Sequence, residues 1–322
     1  MHILIVSPPF FGYSARMRDA LLARGHDVDL VDEQPSHGGL ARILMRRDSR
    51  LYHRKTEAYF RRVLSSLKPC YDEILFIKCE APTARVLEAF HTRYPAARFQ
   101  LYLWDSIANM RHITDKFRFF DRIFSFDEAD VARDPRLRYA YWGFTKEYDV
   151  SSPAVPSYDL AFVGTLHSIR PVVLEKIKEE CARLHLRFYC FVYNPHPLYF
   201  YYNKLFNRCF RHVKKSDVSF QPLTVQETVD VYRNARAVLE IENSFQTGAT
   251  TRLGEMLGMN KKLVTTVDCR QAPFYRKENQ LVIDPKEPCL DPAFFSSPYQ
   301  PIPEEIRYAY SFEAFLDTVF CK

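Results

Sequence analysis

Residues 243–266 read NSFQTGATTRLGEMLGMNKKLVTT, and they hold the densest set of groups that could do chemistry. Gln246, Thr247 and Gly248 precede a short helical pattern that Thr250 or Thr251 can N-cap. Leu253, Met256 and Leu257 give that helix an apolar side, and Gly258 ends it. Glycine at 248 permits a close backbone approach. The amides of a helix start form the positive end of its dipole, which suits a phosphate or diphosphate. Arg252 puts a cation in that first turn, where it opposes the dipole unless an anion is bound nearby. Glu255, three residues on, lies on the same side and is placed to accept hydroxyls from a ribose. The same residues would also suit an ordinary capped helix with an Arg–Glu surface pair.

Three further groups have chemistry within reach. In FVGTLHSIRP (162–171), Gly164 and Thr165 turn the chain after an apolar run, and His167 and Arg170 stand at the next helix start. Arg and His there suit a phosphate or a leaving group, or else they are a loop histidine and a solvated cation. In LYLWDSIANM (101–110), Asp105 follows an apolar strand at its carboxyl end. It is a candidate general base for an incoming hydroxyl, or a helix cap with Ser106 as helper, and the two are compatible. SPPFFGYSAR (7–16) is a first β–α loop in which Gly12 alone makes no GxGxxG, so no NAD site is read here. Phe10, Gly12 and Tyr13, with Phe11, are acceptor-side candidates instead.

The elements that must carry these groups alternate. HILIV (2–6) is a buried strand, a helix ends near Gly25, and DVDLVD (27–32) is the next strand, which opens a parallel βαβ unit. Helices are expected over 55–68 and 82–94, and strands over 73–78, 98–104 and 122–126, with an edge strand near 138–142. Residues 143–158 lose periodicity and gain Pro and Ser, as a linker does. The pattern then restarts: strands at 159–165, 187–193, 217–222, 237–241 and 262–267, and helices over 169–184 and 197–212. Thr224-x-x-Glu227 is a capping box, 285–302 is Pro-rich loop, and the last twenty residues read as helix. The fold class is therefore α/β, with two tandem Rossmann-like units whose parallel sheets face a central cleft. Ligands in such sheets bind beyond the carboxyl ends of the strands.

Bulk properties agree. The 322 residues exceed one usual domain, and 47% apolar with 26% charged residues is the composition of a globular protein. A net charge of +6 favours anionic partners. The 8 Cys show no CxxC spacing, which argues against a zinc ribbon and for small core residues in a reducing cytosol. No run reaches the ~18 apolar residues of a membrane span, and the N-terminal run is too short for a signal peptide. The expectation is a cytoplasmic protein, held at the inner face of the cell membrane. Two basic tracts suit anionic lipid: 41–55 with six Arg/Lys against one Asp, and 198–215 with six Phe/Tyr and five Arg/Lys. Each also reads as an amphipathic helix with a solvated basic edge.

YLWDSI, FDRIFSFDEAD, YDLAFVGTLHSIR and QTGATTRLGEMLGMNKKLVTT together resemble blocks of the GT-B glycosyltransferases, most of all the CgeB-like, family-1/4-like bacterial lipopolysaccharide and capsule enzymes. The resemblance covers nearly the whole chain, and the last two blocks are its more specific part. It implies an acceptor domain over 1–150, onto which a C-terminal helix at 303–320 packs back, and a nucleotide-sugar donor domain over 151–302. It implies no cofactor and no essential metal, since helix dipoles and basic residues stabilise the departing diphosphate. Carried over, Glu255 matches the ribose acid. Gln246, Thr247 and Gly248 match the loop near the sugar and diphosphate. His167 and Arg170 match the diphosphate side of the glycine-containing loop that Gly164 and Thr165 form, and Arg252 is a further donor-side candidate from its place in the helix start. Many retaining members have a second Glu ahead of the ribose acid, but Thr247 stands eight positions before Glu255 and Glu242 thirteen before. Inversion would need a base, for which Asp105 is the candidate. With retention, the donor phosphate takes the acceptor proton.

The expected activity is transfer of a sugar from a nucleoside diphosphate to a saccharide or lipid-linked acceptor in surface polysaccharide synthesis. The rivals are a GT-B nucleotide-sugar 2-epimerase and a non-catalytic nucleotide-sugar or nucleic-acid binding module. No nucleic-acid partner is expected.

Overall fold

The computed structural model describes residues 1–9, 12–35, 53–110, 112–150, 155–242 and 250–320. The chain divides into two compact units, Met1–Ala140 and Tyr141–Lys322.

Unit 1 runs β1 (His2–Ser7), α1 (Tyr13–Ala23), β2 (Asp27–Asp32), α2 (His53–Ser66), β3 (Glu73–Ile77), α3 (Ala84–Arg93) and β4 (Arg98–Leu103). Then come 3-10 turns at Ile107–Asn109 and Thr114–Phe119, β5 (Arg122–Ser125), α4 (Glu128–Arg133) and β6 (Leu137–Tyr139). The strands form one sheet in the order β2-β1-β3-β4-β5-β6, all parallel. Its central strands read as near-continuous apolar runs because helices cover both faces. Ile3 to Val6 and Ile74 to Phe76 are wholly buried. The strand order reverses between β1 and β3, which puts the switch point of unit 1 at their carboxyl ends.

Unit 2 runs β7 (Tyr158–Thr165), α5 (Arg170–Arg183), β8 (Phe188–Tyr193), α6 (Pro197–Phe206), α7 (Val225–Arg233), β9 (Ala235–Glu240), α8 (Thr251–Gly258), β10 (Lys262–Thr265) and β11 (Gln280–Val282). Its sheet order is β11-β10-β9-β7-β8, again all parallel. Side chains alternate across it. Leu160, Phe162, Leu239 and Val264 join the core under α5, while Val163, Val238 and Leu263 join the core under α7 and α8. The capping box expected at α7 is formed: Thr224 Oγ1 accepts from Glu227 N at 3.2 Å, and Glu227 Oε2 accepts from Thr224 N at 2.7 Å.

Four elements differ from the sequence reading. The helix expected over 197–212 stops at Phe206, where Asn207 caps a 3-10 turn at Arg208–Phe210. Residues 217–222 contribute only an isolated bridge, Ser219 to Tyr193. β11 has three residues, too few to show a period, and a short α9 (Pro292–Ser296) interrupts the Pro-rich stretch behind an Asp291 cap.

The chain ends in α10 (Glu304–Ala309) and α11 (Phe312–Phe320). These pack on the segment that opens unit 2. Trp142 meets Phe312 and Phe315 at 4.9 and 4.8 Å between ring centroids, and Phe144 pairs with Ser311. Among the described residues no helix is long and apolar enough to cross a membrane.

Candidate functional site

In unit 2 the strand order reverses between β7 and β9, and the two strands separate there. Their paired positions run from Tyr158–Ala235 to Ala161–Val238, although β7 continues to Thr165 and β9 to Glu240. Two arginines bond the carbonyls that the ladder leaves. Arg252 donates to Val163 O at 2.5 Å and to Leu239 O at 3.4 Å. Arg170 donates to Thr165 O and Ile241 O, both at 3.0 Å. The Phe162 ring lies 5.7 Å from the Arg252 guanidinium and 6.0 Å from that of Arg170, and Tyr232 lies 5.6 Å from Arg252. Gly164 makes room for that ring, since a Cβ there would come within 2.8 Å of Phe162 Cζ.

Arg252 therefore does not wait at an empty helix start. Its guanidinium bridges two strands inside the unit, which explains a first-turn cation without a ligand. Burial alone would lower its pKa, and the phenol of Tyr232 and the carboxylates of Glu255 and Glu240 outweigh it, so Arg252 stays charged. Arg170 moves the other way: burial, and then Arg252 beside it, bring it down to about 10. It remains a cation at neutral pH.

Two acids share this position. Glu240 ends β9 at 2% exposure, and burial raises its carboxyl while Arg252, Thr265 and Arg170 pull it down. Its Oε2 accepts from Thr265 Oγ1 at 3.1 Å, while its Oε1 has no hydrogen-bond partner among the described residues. Glu255 is buried in α8, within electrostatic reach of both Arg252 and Glu240. Thr250 occupies the N-cap position of α8, but its hydroxyl makes no capping bond and is buried without a partner among the described residues, as is Arg252 Nε. Instead, Tyr141 Oη accepts from Gly254 N at 2.9 Å and donates to the Thr250 carbonyl. Among the described residues, three buried polar atoms without a hydrogen-bond partner thus gather where β9 ends and α8 begins, a concentration that folded chains keep at functional places. Gln246, Thr247 and Gly248 lie outside the described residues.

His167 and Ser168 bridge β7 and α5. Ser168 has a left-handed φ of 49°, and His167 Nδ1 lies 3.2 Å from its hydroxyl. Burial, with Arg170 adding, lowers the His167 pKa to about 4, so the ring is neutral at physiological pH.

In unit 1, Asp105 follows β4 but does not cap the turn after it. Ile107 N is taken by Asp130 Oδ2 at 2.7 Å, and Ser106 donates to Asp127. Asp105 Oδ2 instead meets Lys78 Nζ at 3.2 Å, and Glu80 Oε2 lies 3.5 Å from the same ammonium. Lys78 and Cys79 leave β3 at φ 70° and 54°, a strained pair that Lys116 Nζ holds through Cys79 O and Glu80 O at 2.6 and 3.1 Å. Burial depresses Lys78, and Glu80, Asp105 and Glu33 more than restore it. Gly12 takes a φ of 72° at the α1 N-cap, and Tyr13 packs 5.3 Å from Trp104 and under Arg16. Phe10 and Phe11 lie outside the described residues.

Sequence reasoning missed Glu240, Phe162, Tyr141 and Lys78. A Glu closing the apolar run AVLE was a usable sign for the first. The others depend on tertiary contacts.

No family model and no curated protein matches the chain by sequence. Solved structures do match by shape over nearly its whole length. The Anabaena protein HepE, in complex with UDP-glucose, superposes with a TM-score of 0.57 at 12% identity, covering 99% of this chain and 98% of that one. The chain has the GT-B fold. A glycosyltransferase from Rickettsia africae aligns at 0.53 and 10% identity, over 100% of this chain and 99% of its own. A Listeria monocytogenes protein, named as a candidate UDP-N-acetylglucosamine 2-epimerase, aligns at 0.51 and 11%, over 99% and 94%. Identities this low establish the GT-B architecture and leave chemistry to the residues. Of the expected donor residues, unit 2 gathers Gly164, Thr165, His167, Arg170, Arg252 and Glu255 around one switch point.

Proposed function

We propose that the chain is a glycosyltransferase using a nucleoside-diphosphate sugar, with the donor held by unit 2. The observation that carries this reading is the parted β7–β9 ladder, where two buried cations and two buried carboxylates meet the start of α8. In that reading Glu255 takes the ribose hydroxyls, and the α8 start with Arg170 and Arg252 supplies positive potential to the diphosphate. These groups take the leaving charge that a metal ion would otherwise take, so we propose a metal-independent reaction. The neutral His167 serves as a hydrogen-bonding group on the phosphate or sugar. That HepE is found with UDP-glucose, and also with UDP and glucose, supports a nucleotide-sugar donor.

The acceptor is a saccharide or a lipid-linked sugar of surface polysaccharide synthesis, bound by unit 1 near Tyr13. Its hydroxyl oxygen attacks the anomeric carbon as the bond to the diphosphate breaks, and the nucleoside diphosphate leaves. In an inverting enzyme Asp105, paired with Lys78, accepts the hydroxyl proton. In a retaining one the donor phosphate accepts it. Asp105→Asn separates the two: a loss of transfer beyond roughly a hundredfold with donor affinity kept marks a base, and near-normal turnover removes the role.

A thermal-shift panel of UDP, GDP, CDP, TDP and ADP sugars tests the donor. A ligand of the native state raises the midpoint, by about 2.7 kcal/mol of stabilisation at a hundred times its Kd. Glu255→Gln should weaken the responding nucleotide roughly tenfold or more. Nucleotide binding unchanged in that variant would overturn the ribose role, and no response to any nucleotide would overturn the donor site. The second reading, a 2-epimerase, is favoured by the Listeria neighbour alone. Conversion of donor to an epimer without acceptor would establish it in place of transfer.

A further inference from the structure

Helix α6 inverts the usual pattern of a surface helix. Of its ten residues only Phe200 is buried. Leu198, Tyr199, Tyr201, Tyr202, Leu205 and Phe206 are 41–74% exposed. At ~100° per residue these six fall on one continuous stripe, with Phe200 opposite it. The helix is nonetheless well made. Pro197 opens it, His196 Nδ1 accepts from Leu198 N at 3.1 Å, and Phe200 anchors it against Phe220 at 6.1 Å. The stripe is therefore presented by a fixed helix.

Charge follows at once along the chain. Arg208, Arg211, Lys214 and Lys215 are exposed in the turns after α6, and among the described residues none has a salt-bridge partner. Asp217 is the one acid between 197 and 217. Lys204 sits beside the stripe, with its ammonium on Val213 O at 2.8 Å. Tyrosines at the margin of an apolar face, flanked by cations, suit the boundary between lipid headgroups and acyl chains.

We propose that α6 is a membrane-docking helix: its outer stripe inserts into the interface of an anionic bilayer, and the cations of 208–215 sit on the lipid phosphates. From 197 to 215 every ionic residue along the chain is a cation, which suits an anionic bilayer better than a protein partner. The tract at 41–52 lies outside the described residues and has no part in this. Docking needs neither donor nor turnover, so it stands apart from the sugar-transfer reading.

The test is co-sedimentation of the full chain with two kinds of vesicle, phosphatidylcholine alone and phosphatidylcholine–phosphatidylglycerol at about 7:3. The protein should bind the anionic vesicles and release as salt is raised. Leu205→Glu/Phe206→Glu should cut binding roughly tenfold or more, with the thermal midpoint held because both side chains are solvent-exposed. Arg208→Glu/Arg211→Glu should remove the preference for the anionic lipid. Equal binding by wild type and the Leu205→Glu/Phe206→Glu variant overturns the proposal. So does a concentration-dependent dimer in sedimentation that the same variant dissolves without any vesicle binding, which would make the stripe a contact between copies.

Discussion

Glu33 follows β2 with both carboxylate oxygens buried and, among the described residues, without a hydrogen-bond partner. Burial, with Glu80 adding, pushes its pKa from 4.5 up to about 8. The folded chain therefore keeps it protonated while the unfolded chain ionises. Its contribution is whole below about pH 4.5 and declines as pH rises toward 8, at about 1.4 kcal/mol per unit. Glu33→Gln removes that slope, so the variant should gain on wild type between those limits in urea melts at several pH values. Parallel curves would show that Glu33 ionises freely. His167 has the opposite sense, since its folded pKa is lowered from 6.5 to about 4. Its contribution is whole above 6.5 and is lost as pH falls toward 4. Being neutral, His167 should add no acid-side gain in nucleotide affinity between about pH 5.5 and 7.5. A steep rise on acidification in calorimetric titrations would show it binding phosphate as a cation. Neither shift was legible in the sequence, because DVDLVDE and GTLHSIR do not say how much water each side chain keeps.

At the scale of elements, most of the alternation was legible because parallel strands covered on both faces must be apolar along their length, as ILIV, ILFI and LAFV are. The wedge between β7 and β9 was not. Gly164 and Arg252 were visible as residues, but the aromatic floor and the strand carbonyls that occupy Arg252 come from three separate elements. Arg252→Met should strand the Val163 and Leu239 carbonyls and cost about 3 kcal/mol in chemical denaturation. A loss under about 1 kcal/mol would show that the bridge is dispensable. Gly143 makes a second test. A Cβ there would lie 2.2 Å from Tyr310 O, so Gly143→Ala must push the C-terminal segment off residues 142–144. The expected cost is about 3 kcal/mol, read from thermal melts. An unchanged midpoint would mean the Phe144–Ser311 bridge yields freely.

At the scale of the molecule, each of the two units has its own sheet and core, and the groups proposed to hold the donor belong to one of them. Hydrogen exchange followed by mass spectrometry should therefore show nucleotide protection in peptides spanning 160–170 and 236–257. Protection confined to peptides of 2–139 would move the donor to unit 1. A net charge of +6 is in keeping with anionic ligands but does not choose among diphosphate, lipid and other anions. That choice rests on where the cations lie: buried against carbonyls at Arg170 and Arg252, exposed and unopposed at 208–215.

By itself the sequence determined the two α/β units, the parallel sheets, the capping box at Thr224 and the strand ends where polar residues collect. All of these follow from local periodicity and from residue type. Only the tertiary structure decided what those polar residues do. It turned Arg252 inward, joined Asp105 to Lys78, brought the Glu240 carboxylate beside two guanidinium groups and left the apolar stripe of α6 uncovered. Charge, burial and exposure depend on neighbours distant in the chain, and a pattern of residue types along one strand or helix does not record them.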